Sequence, residues 1–417
     1  MIFLGYRVGL DSVLGAEFIK PVELLVEVGT DAYLLVLCPV GELLRRDLRL
    51  RWQQRSLTFP AKLKDRIRRF PVAPSRFESH VDESWLLAQA IRYGYSMDAR
   101  IILHAVGSGA GYLAVRARRF LRERDIRVVF RSHGPSADEY LYREGGPARR
   151  MNEAVEEKYA RLQRQENEAY CLADAVVTLS EPMRQFAIRQ RGGSQMVAST
   201  GCLADVGMFG ATESGREQVR NALGWGSDLV VVHSGTLHPW QRPDEVVRMF
   251  ERIHSIEPRS RLLMLTRDFR VFEEALRDSN VPNDRCTIRG LEFAEVPRFL
   301  AAADIGLIGR GLLEVPNIVN EFSWPIKFAE YLAAGCPVIM GERVGDLSDM
   351  AKTNGLGLVV PHDLAESELR RRLQEFLRKY AAQGPDWRRK CQAFASTNLD
   401  VHGAIARYRD LYATLAS

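Results

Sequence analysis

Short apolar runs rich in β-branched residues, alternating with helical stretches along almost the whole chain, restrict this sequence more than any other feature. Ala32-Tyr33-Leu34-Leu35-Val36-Leu37, Ile101-Ile102-Leu103, Val128-Val129-Phe130 and Ala175-Val176-Val177-Thr178-Leu179 form a first series. Residues 229–233, 261–265, 286–288, 304–308, 337–340 and 356–360 form a second. Helical patterns such as 112–124, 151–173, 243–256 and 296–302 lie between the runs. Strands hydrophobic on both faces, joined by helices, predict parallel sheets covered on each side. At 417 residues the chain exceeds what one core usually serves. The pattern therefore predicts two tandem Rossmann-like domains facing each other across a cleft: residues 1–205, residues 206–398, and a terminal helix, 399–417, packing back on the first domain. In such sheets ligands gather beyond the carboxyl ends of the strands.

Charge divides unevenly between the two series. Residues 1–200 hold 31 Lys+Arg against 24 Asp+Glu, and residues 201–417 hold 27 against 29. Much of the excess lies in residues 45–76, where eleven basic residues face only Asp47 and Asp65, with Trp52, Leu57, Phe59, Leu63, Ile67 and Phe70 interleaved. Such a segment suits the surface of an anionic membrane; a solvated face with its apolar residues turned inward reads equally well. No recognition motif accompanies the charge, which argues against a nucleic-acid partner. No apolar run reaches the roughly 20 residues of a membrane span, and residues 1–10 lack a basic start with a cleavage site. The six cysteines (Cys38, Cys171, Cys202, Cys286, Cys336 and Cys391) are scattered without a C-x-x-C pair. Reduced thiols and a cytoplasmic setting, at the inner face of the membrane if the basic segment docks there, are the expectation.

Residues 323–339, S-W-P-I-K-F-A-E-Y-L-A-A-G-C-P-V-I, carry the most chemistry. Ser323 has the character of an N-cap and Pro325 fits a first turn, where its missing N–H costs nothing. Lys327 and Glu330 are spaced to share a face; Gly335 stops the helix before a buried strand. A cation beside helix amides suits a phosphate, and a carboxylate one turn deeper suits a sugar diol, so the block predicts a nucleotide-sugar pocket. Read alone, the pair is also compatible with a surface ion pair contributing about 0.2–0.5 kcal/mol. Gly107-Ser108-Gly109-Ala110-Gly111 opens a helix after a strand, but its spacing is not the dinucleotide fingerprint, and no acidic strand end follows about 20 residues on. Its glycines allow either close packing or approach of an acceptor.

These residues resemble the family 4-like group of GT-B glycosyltransferases, which are retaining and nucleotide-sugar dependent. Ser234-Gly235-Thr236-Leu237-His238-Pro239-Trp240-Gln241-Arg242-Pro243-Asp244 is similar to the glycine turn that opens that family's second domain. Ala173-Asp174-Ala175-Val176-Val177-Thr178-Leu179-Ser180-Glu181-Pro182-Met183 resembles the last strand of its first domain, and the 323–339 block its donor-binding helix. The sequence departs from the family in two places. Thr236 and Gln241 stand where an arginine and a lysine usually contact the donor diphosphate, with Arg242 adjacent. Phe322 stands where the first of two glutamates belongs, with Glu321 one residue out of register. Ala303-Asp304-Ile305-Gly306-Leu307 followed by Arg310, then Ser323, Pro325, Lys327, Phe328, Glu330, Tyr331 and Leu332, resembles a variant subgroup.

The resemblance implies that Arg310 and Lys327 hold the diphosphate, and that Glu330 takes the ribose hydroxyls. Gly235, Thr236, Arg242, Ser323 and Leu291 would complete the donor site, with Val344-Gly345-Asp346 in its lining; Trp240 and Trp324 read as packing residues or pocket walls rather than stacking platforms. It implies His133 as the first domain's residue near the transferred sugar, Arg131 and Glu139 beside it, and His104 and Gly107 on the acceptor side. A lone histidine at a strand end is also commonly a plain hydrogen-bonding group. No cofactor and no metal are expected, since cations already balance the diphosphate. The implied reaction moves a hexosyl group to a carbohydrate, lipid-linked or small-molecule acceptor, by attack from the leaving-group face. A nucleotide-sugar epimerase of the same fold and a catalytically silent partner protein are the alternatives.

Overall fold

The computed structural model describes residues 1–6, 18–72, 82–96, 100–145, 152–193, 196–201, 204–210, 213–315 and 317–416. Cys202, Arg7 and the end of the basic run, Arg76 included, lie outside them. The chain divides into two compact units, Met1–Leu141 with Arg149–Thr200 and Ala404–Ser417, and Tyr142–Ala148 with Gly201–Gly403.

The first unit is built on seven parallel strands: β1 (Ile2–Tyr6), β2 (Tyr33–Pro39), β3 (Ile67–Val72), β4 (Ile101–Val106), β5 (Ile126–Arg131), β6 (Ala175–Thr178) and β7 (Val197–Ser199). Their spatial order is β3-β2-β1-β4-β5-β6-β7. Strand β4 is buried at every position, as a central strand with helices on both faces must be. The basic run 45–76 is not one surface segment. It forms the helix Arg46–Leu57, a 3-10 turn Ala61–Arg66 and the edge strand β3. Cations on an edge strand discourage pairing with another sheet. Arg68 and Arg69 lie over the rings of Tyr95 and Trp52, at 4.9 Å and 4.4 Å.

The second unit repeats the pattern with β8 (Leu229–Ser234), β9 (Ser260–Leu265), β10 (Cys286–Arg289), β11 (Ile305–Ile308), β12 (Val338–Gly341) and β13 (Gly357–Val360). The order is β10-β9-β8-β11-β12-β13, and every pairing is parallel. Chain direction across the sheet reverses between β8 and β11, which pair through Ile305 opposite Val231. Loops leaving two such strands part in opposite directions and open a crevice at their carboxyl ends. The closing helix Val401–Ala416 returns to the first unit, where the Tyr412 hydroxyl and His104 Nδ1 share a hydrogen bond of 2.7 Å.

Candidate active site

The crevice between β8 and β11 holds the chemistry of the second unit. Gly235 follows β8 with φ at +110°, a conformation that side chains strongly disfavour. The turn is pinned on both sides: the Gly235 amide donates to the Leu265 carbonyl at 2.9 Å and the Leu237 amide to Asp268 Oδ2 at 2.7 Å. The Ser234 amide donates to the hydroxyl of Tyr331 at 2.8 Å. Tyr331 reaches that amide because Gly306 has no side chain: a Cβ there would stand 2.2 Å from Tyr331 Cδ2. Gly306 and Tyr331, which the sequence reading took as parts of a motif, thus share the task of supporting the turn.

Lys327 and Glu330 sit on the seven-residue helix Lys327–Ala333, and both are 7% exposed. The Lys327 ammonium donates to Gln241 Oε1 at 3.0 Å and lies 3.4 Å from His233 Nε2. A Cβ on Gly235 would be 3.5 Å from the same Nζ, so the turn passes directly beside it. The Glu330 carboxylate has no hydrogen-bond or ion-pair partner among the described residues; only its backbone is bonded, within the helix. Burial pushes Lys327 down to about 7, aided by the charge of Arg310 and opposed by that of Glu330. Burial likewise pushes Glu330 up to about 7, with Lys327 opposing. Arg310, 9% exposed, follows β11 and lies 5.9 Å over the ring of Trp240. His238 stacks on that same ring at 4.7 Å. The structure therefore gathers Lys327, Glu330 and Arg310 into one electrostatic cluster beside the Gly235 turn. Buried titratable groups whose protonation is shifted by burial and by one another, in a crevice, are characteristic of ligand sites.

Other expected donor residues do different work. Arg242 is held by carboxylates of its own helix start. It donates to Asp244 Oδ1 and Oδ2 at 3.1 and 2.8 Å and to Glu245 Oε1 at 3.1 Å, with Glu314 3.8 Å away. Those partners hold its proton more tightly than usual. Ser323 is not the cap of the Lys327 helix. Its Oγ donates to the Asn320 carbonyl at 2.7 Å, closing the preceding helix Ile318–Glu321, while the Pro325 and Ile326 carbonyls accept the first bonds of the next. Thr236 is exposed on the turn, and Leu291 is half-buried, its carbonyl taking a bond from Arg267 at 3.1 Å. Phe322 is buried and Glu321 faces Arg343 at 3.4 Å, so neither provides the missing glutamate. Asp304 is structural: it accepts from Arg220 at 3.2 Å, Tyr380 at 2.8 Å and the Val230 amide at 2.7 Å.

In the first unit, Gly107, Arg131, His133 and Glu139 collect at the carboxyl ends of β4 and β5. The Gly107 amide donates to the Arg131 carbonyl at 2.9 Å. Ser132 is pinned by its amide to Val177 and by the Tyr170 hydroxyl at 2.8 Å. His133 is half-buried on this loop, and Glu139 folds over Gly134, where a Cβ would meet its Oε1 at 2.6 Å. Gly109 and Gly111 make room for Tyr6 and Phe130, which is the packing explanation of that glycine run. His104 is a correction. It is wholly buried, stacked on Phe3 at 4.4 Å and edged by Tyr408 and Tyr412, so it anchors the returning helix and cannot meet an acceptor.

Three residues were given no role on the strength of the sequence. Gln241 and His233 hold the Lys327 ammonium. Glu166, pushed up by burial to about 7, joins two helix starts by accepting from Ser108 Oγ at 3.1 Å and the Ser136 amide at 3.2 Å. Only Gln241 left a signal, as a polar residue within the turn motif.

Residues 35–197 match the model of Glycosyltransferase Family 4. No curated protein sequence matches the chain. Among solved structures, HepE of Anabaena, determined with UDP and also with UDP-glucose, is similar at a TM-score of 0.69 and 15% identity over 99% of each chain. Sucrose-phosphate synthase from Thermosynechococcus elongatus aligns at 0.69 and 15%, over 100% of this chain and 99% of its own. WaaG, a glycosyltransferase involved in lipopolysaccharide biosynthesis, aligns at 0.65 and 14% over 99% of each. At these identities the solved structures establish the architecture, which is GT-B.

Proposed function

We propose that this chain, which is a family 4-like glycosyltransferase of GT-B fold, moves a hexosyl group from a nucleoside diphosphate sugar to an acceptor hydroxyl with retention of anomeric configuration. One observation carries the donor assignment: Lys327, Arg310 and Glu330 are buried together beside the positive-φ turn at Gly235. The diphosphate lies along that turn, its charge met by Lys327 and Arg310. Because the helix Lys327–Ala333 is only seven residues long, the two cationic side chains, more than a helix dipole, hold the anion. As the glycosidic bond breaks, negative charge builds on the leaving diphosphate, and fixed cations in a site poor in water stabilise it most there. Glu330 accepts from the ribose hydroxyls, which supply the hydrogen bonds it lacks.

No carboxylate in the sequence declares itself as a nucleophile, which favours attack from the leaving-group face, with a diphosphate oxygen taking the acceptor proton. His133, with Arg131 and Glu139, is the acceptor-side candidate. The two cations make a metal unnecessary in this scheme. UDP-glucose is the first donor to test, since HepE was solved with it. The acceptor is a carbohydrate, a lipid-linked sugar or a small molecule.

Transfer is assayed by mass spectrometry against an acceptor panel, and the anomeric outcome by NMR. Lys327→Ala and Glu330→Ala lose transfer while circular dichroism shows the fold retained; full activity in both refutes the assignment. A second part of the proposal concerns the helix Arg46–Leu57, which presents Leu50 and Leu57 at 47% and 76% exposure among arginines. It docks on an anionic membrane at the cytoplasmic face. Co-sedimentation with anionic but not neutral vesicles is expected, and equal binding to both, or to neither, would count against it.

A further inference from the structure

His233 lies on β8, completely buried, one residue before the strand's end. Its Nδ1 is 2.9 Å from the Leu307 carbonyl on β11. A carbonyl can only accept, so the proton sits on Nδ1 and the lone pair of the neutral ring on Nε2. Burial and the nearby Lys327 charge both oppose a second proton, holding the ring neutral across the working range. Nε2 therefore faces the Lys327 ammonium, 3.4 Å away, as an acceptor. Gln241 Oε1, at 3.0 Å, is the other.

We propose that His233 is a positioning residue: with Gln241 it takes two of the three N–H bonds of Lys327 and leaves the third for the anion at the Gly235 turn. The proposal rests on the donor reading above and deepens it, because it makes donor binding a proton-linked event. The groups that face Lys327 are His233 from β8, His238 and Arg310 from the loops after β8 and β11, and Glu330 from its own helix. Arg388 lies at the far end of that helix, on the Ala334 carbonyl at 3.1 Å. Burial and the Arg310 charge disfavour the ammonium; the Glu330 charge favours it, and the two neutral acceptors add their hydrogen bonds. An arriving diphosphate adds negative charge and completes its protonation.

The test is isothermal titration calorimetry with UDP and with inorganic pyrophosphate, in buffers of different ionisation enthalpy between pH 6 and 9. The wild-type protein is expected to take up nearly one proton on binding at pH 8, with affinity falling as pH rises through that region. His233→Leu removes the acceptor, so the limb moves down by about one pH unit and affinity at pH 8 weakens roughly tenfold. His233→Gln returns an acceptor near the Nε2 position and restores the limb. Gln241→Leu, at a half-exposed site, shifts the limb in the same direction without disturbing the core, and so decides the matter should His233→Leu not fold. A merely structural histidine predicts lowered thermal stability with the limb unmoved; folded His233→Leu or Gln241→Leu protein with an unmoved limb overturns the inference alone. Failure of the wild type to bind either probe overturns the donor reading and the inference with it.

Discussion

Replacing Lys327 by methionine keeps a side chain of similar length and removes only the ammonium. Its burial holds the amine at about 7 instead of the usual 10.5, a shift of about 3.5 pH units. A folded-state pKa below the unfolded one means that the unfolded chain binds more protons between those two values. Stability contributed by this group therefore rises with pH from 7 to 10.5, and its full cost is felt below 7. At pH 8, 2.5 units below the unfolded pKa, the ceiling on that cost is about 3.4 kcal/mol. Losing the bonds to Gln241 and His233 offsets about 1–2 kcal/mol of it. The variant should thus be about 2 kcal/mol more stable than the wild type at pH 8. Between pH 8 and 10 the gap should shrink by about 2–3 kcal/mol, because only the wild type recovers. Groups that do not interact with Lys327 are common to both proteins and cancel, whereas Glu330, no longer opposed by the Lys327 charge, is pushed further up in the variant and trims its advantage. The assay is urea unfolding at the two pH values, followed by Trp225, Trp240, Trp324 and Trp387 of the second unit. A difference that does not change with pH, or a variant already less stable at pH 8, would show that Lys327 is an ordinary exposed cation.

Gly306→Ala should cost about 1–3 kcal/mol, because a Cβ 2.2 Å from the buried Tyr331 ring forces that ring away from the Ser234 amide. Donor affinity should fall together with the melting temperature, both read by thermal shift with and without UDP. Arg310→Ala is expected to weaken UDP binding at least tenfold, whereas Arg242→Ala, already neutralised by Asp244 and Glu245, changes it less than threefold. The reverse ranking by calorimetry would return Arg242 to the diphosphate. Chelation with EDTA should leave the transfer rate unchanged; a loss restored by divalent cations would direct attention to Glu342, His362 and Asp363, whose ligand atoms lie within 4.8 Å of one another.

Both sheets were legible because central parallel strands must be apolar on both faces, and runs such as Val230, Val231 and Val232 have no other use. Strand β3 escaped notice for the same reason inverted: Ile67-Arg68-Arg69-Phe70-Pro71-Val72 lies at an edge, where arginines and a proline are tolerated. Lys327, Glu330 and Arg310 could be picked out because a charge inside an apolar helix or at a strand end needs an explanation. The partners of Arg242 were readable, since Asp244 and Glu245 stand two and three places along. The cap was placed one helix too late because Ser323 precedes Pro325, yet the helix start is made by backbone carbonyls and needs no hydroxyl. The role of His233 was not legible at all, and Gln241 showed only as a polar residue where the family's lysine stands. Their meeting with Lys327 depends on the register of β8 against β11 and on a helix start some 90 residues further along the chain.

The most direct test is a crystal structure of the chain with UDP bound. The account predicts the diphosphate against the Gly235 turn, with Lys327 Nζ within about 3.2 Å of a phosphate oxygen and Glu330 on the ribose hydroxyls. Electron density for the nucleotide at any other place in the second unit, with Lys327 still bonded only to Gln241 and His233, would contradict it.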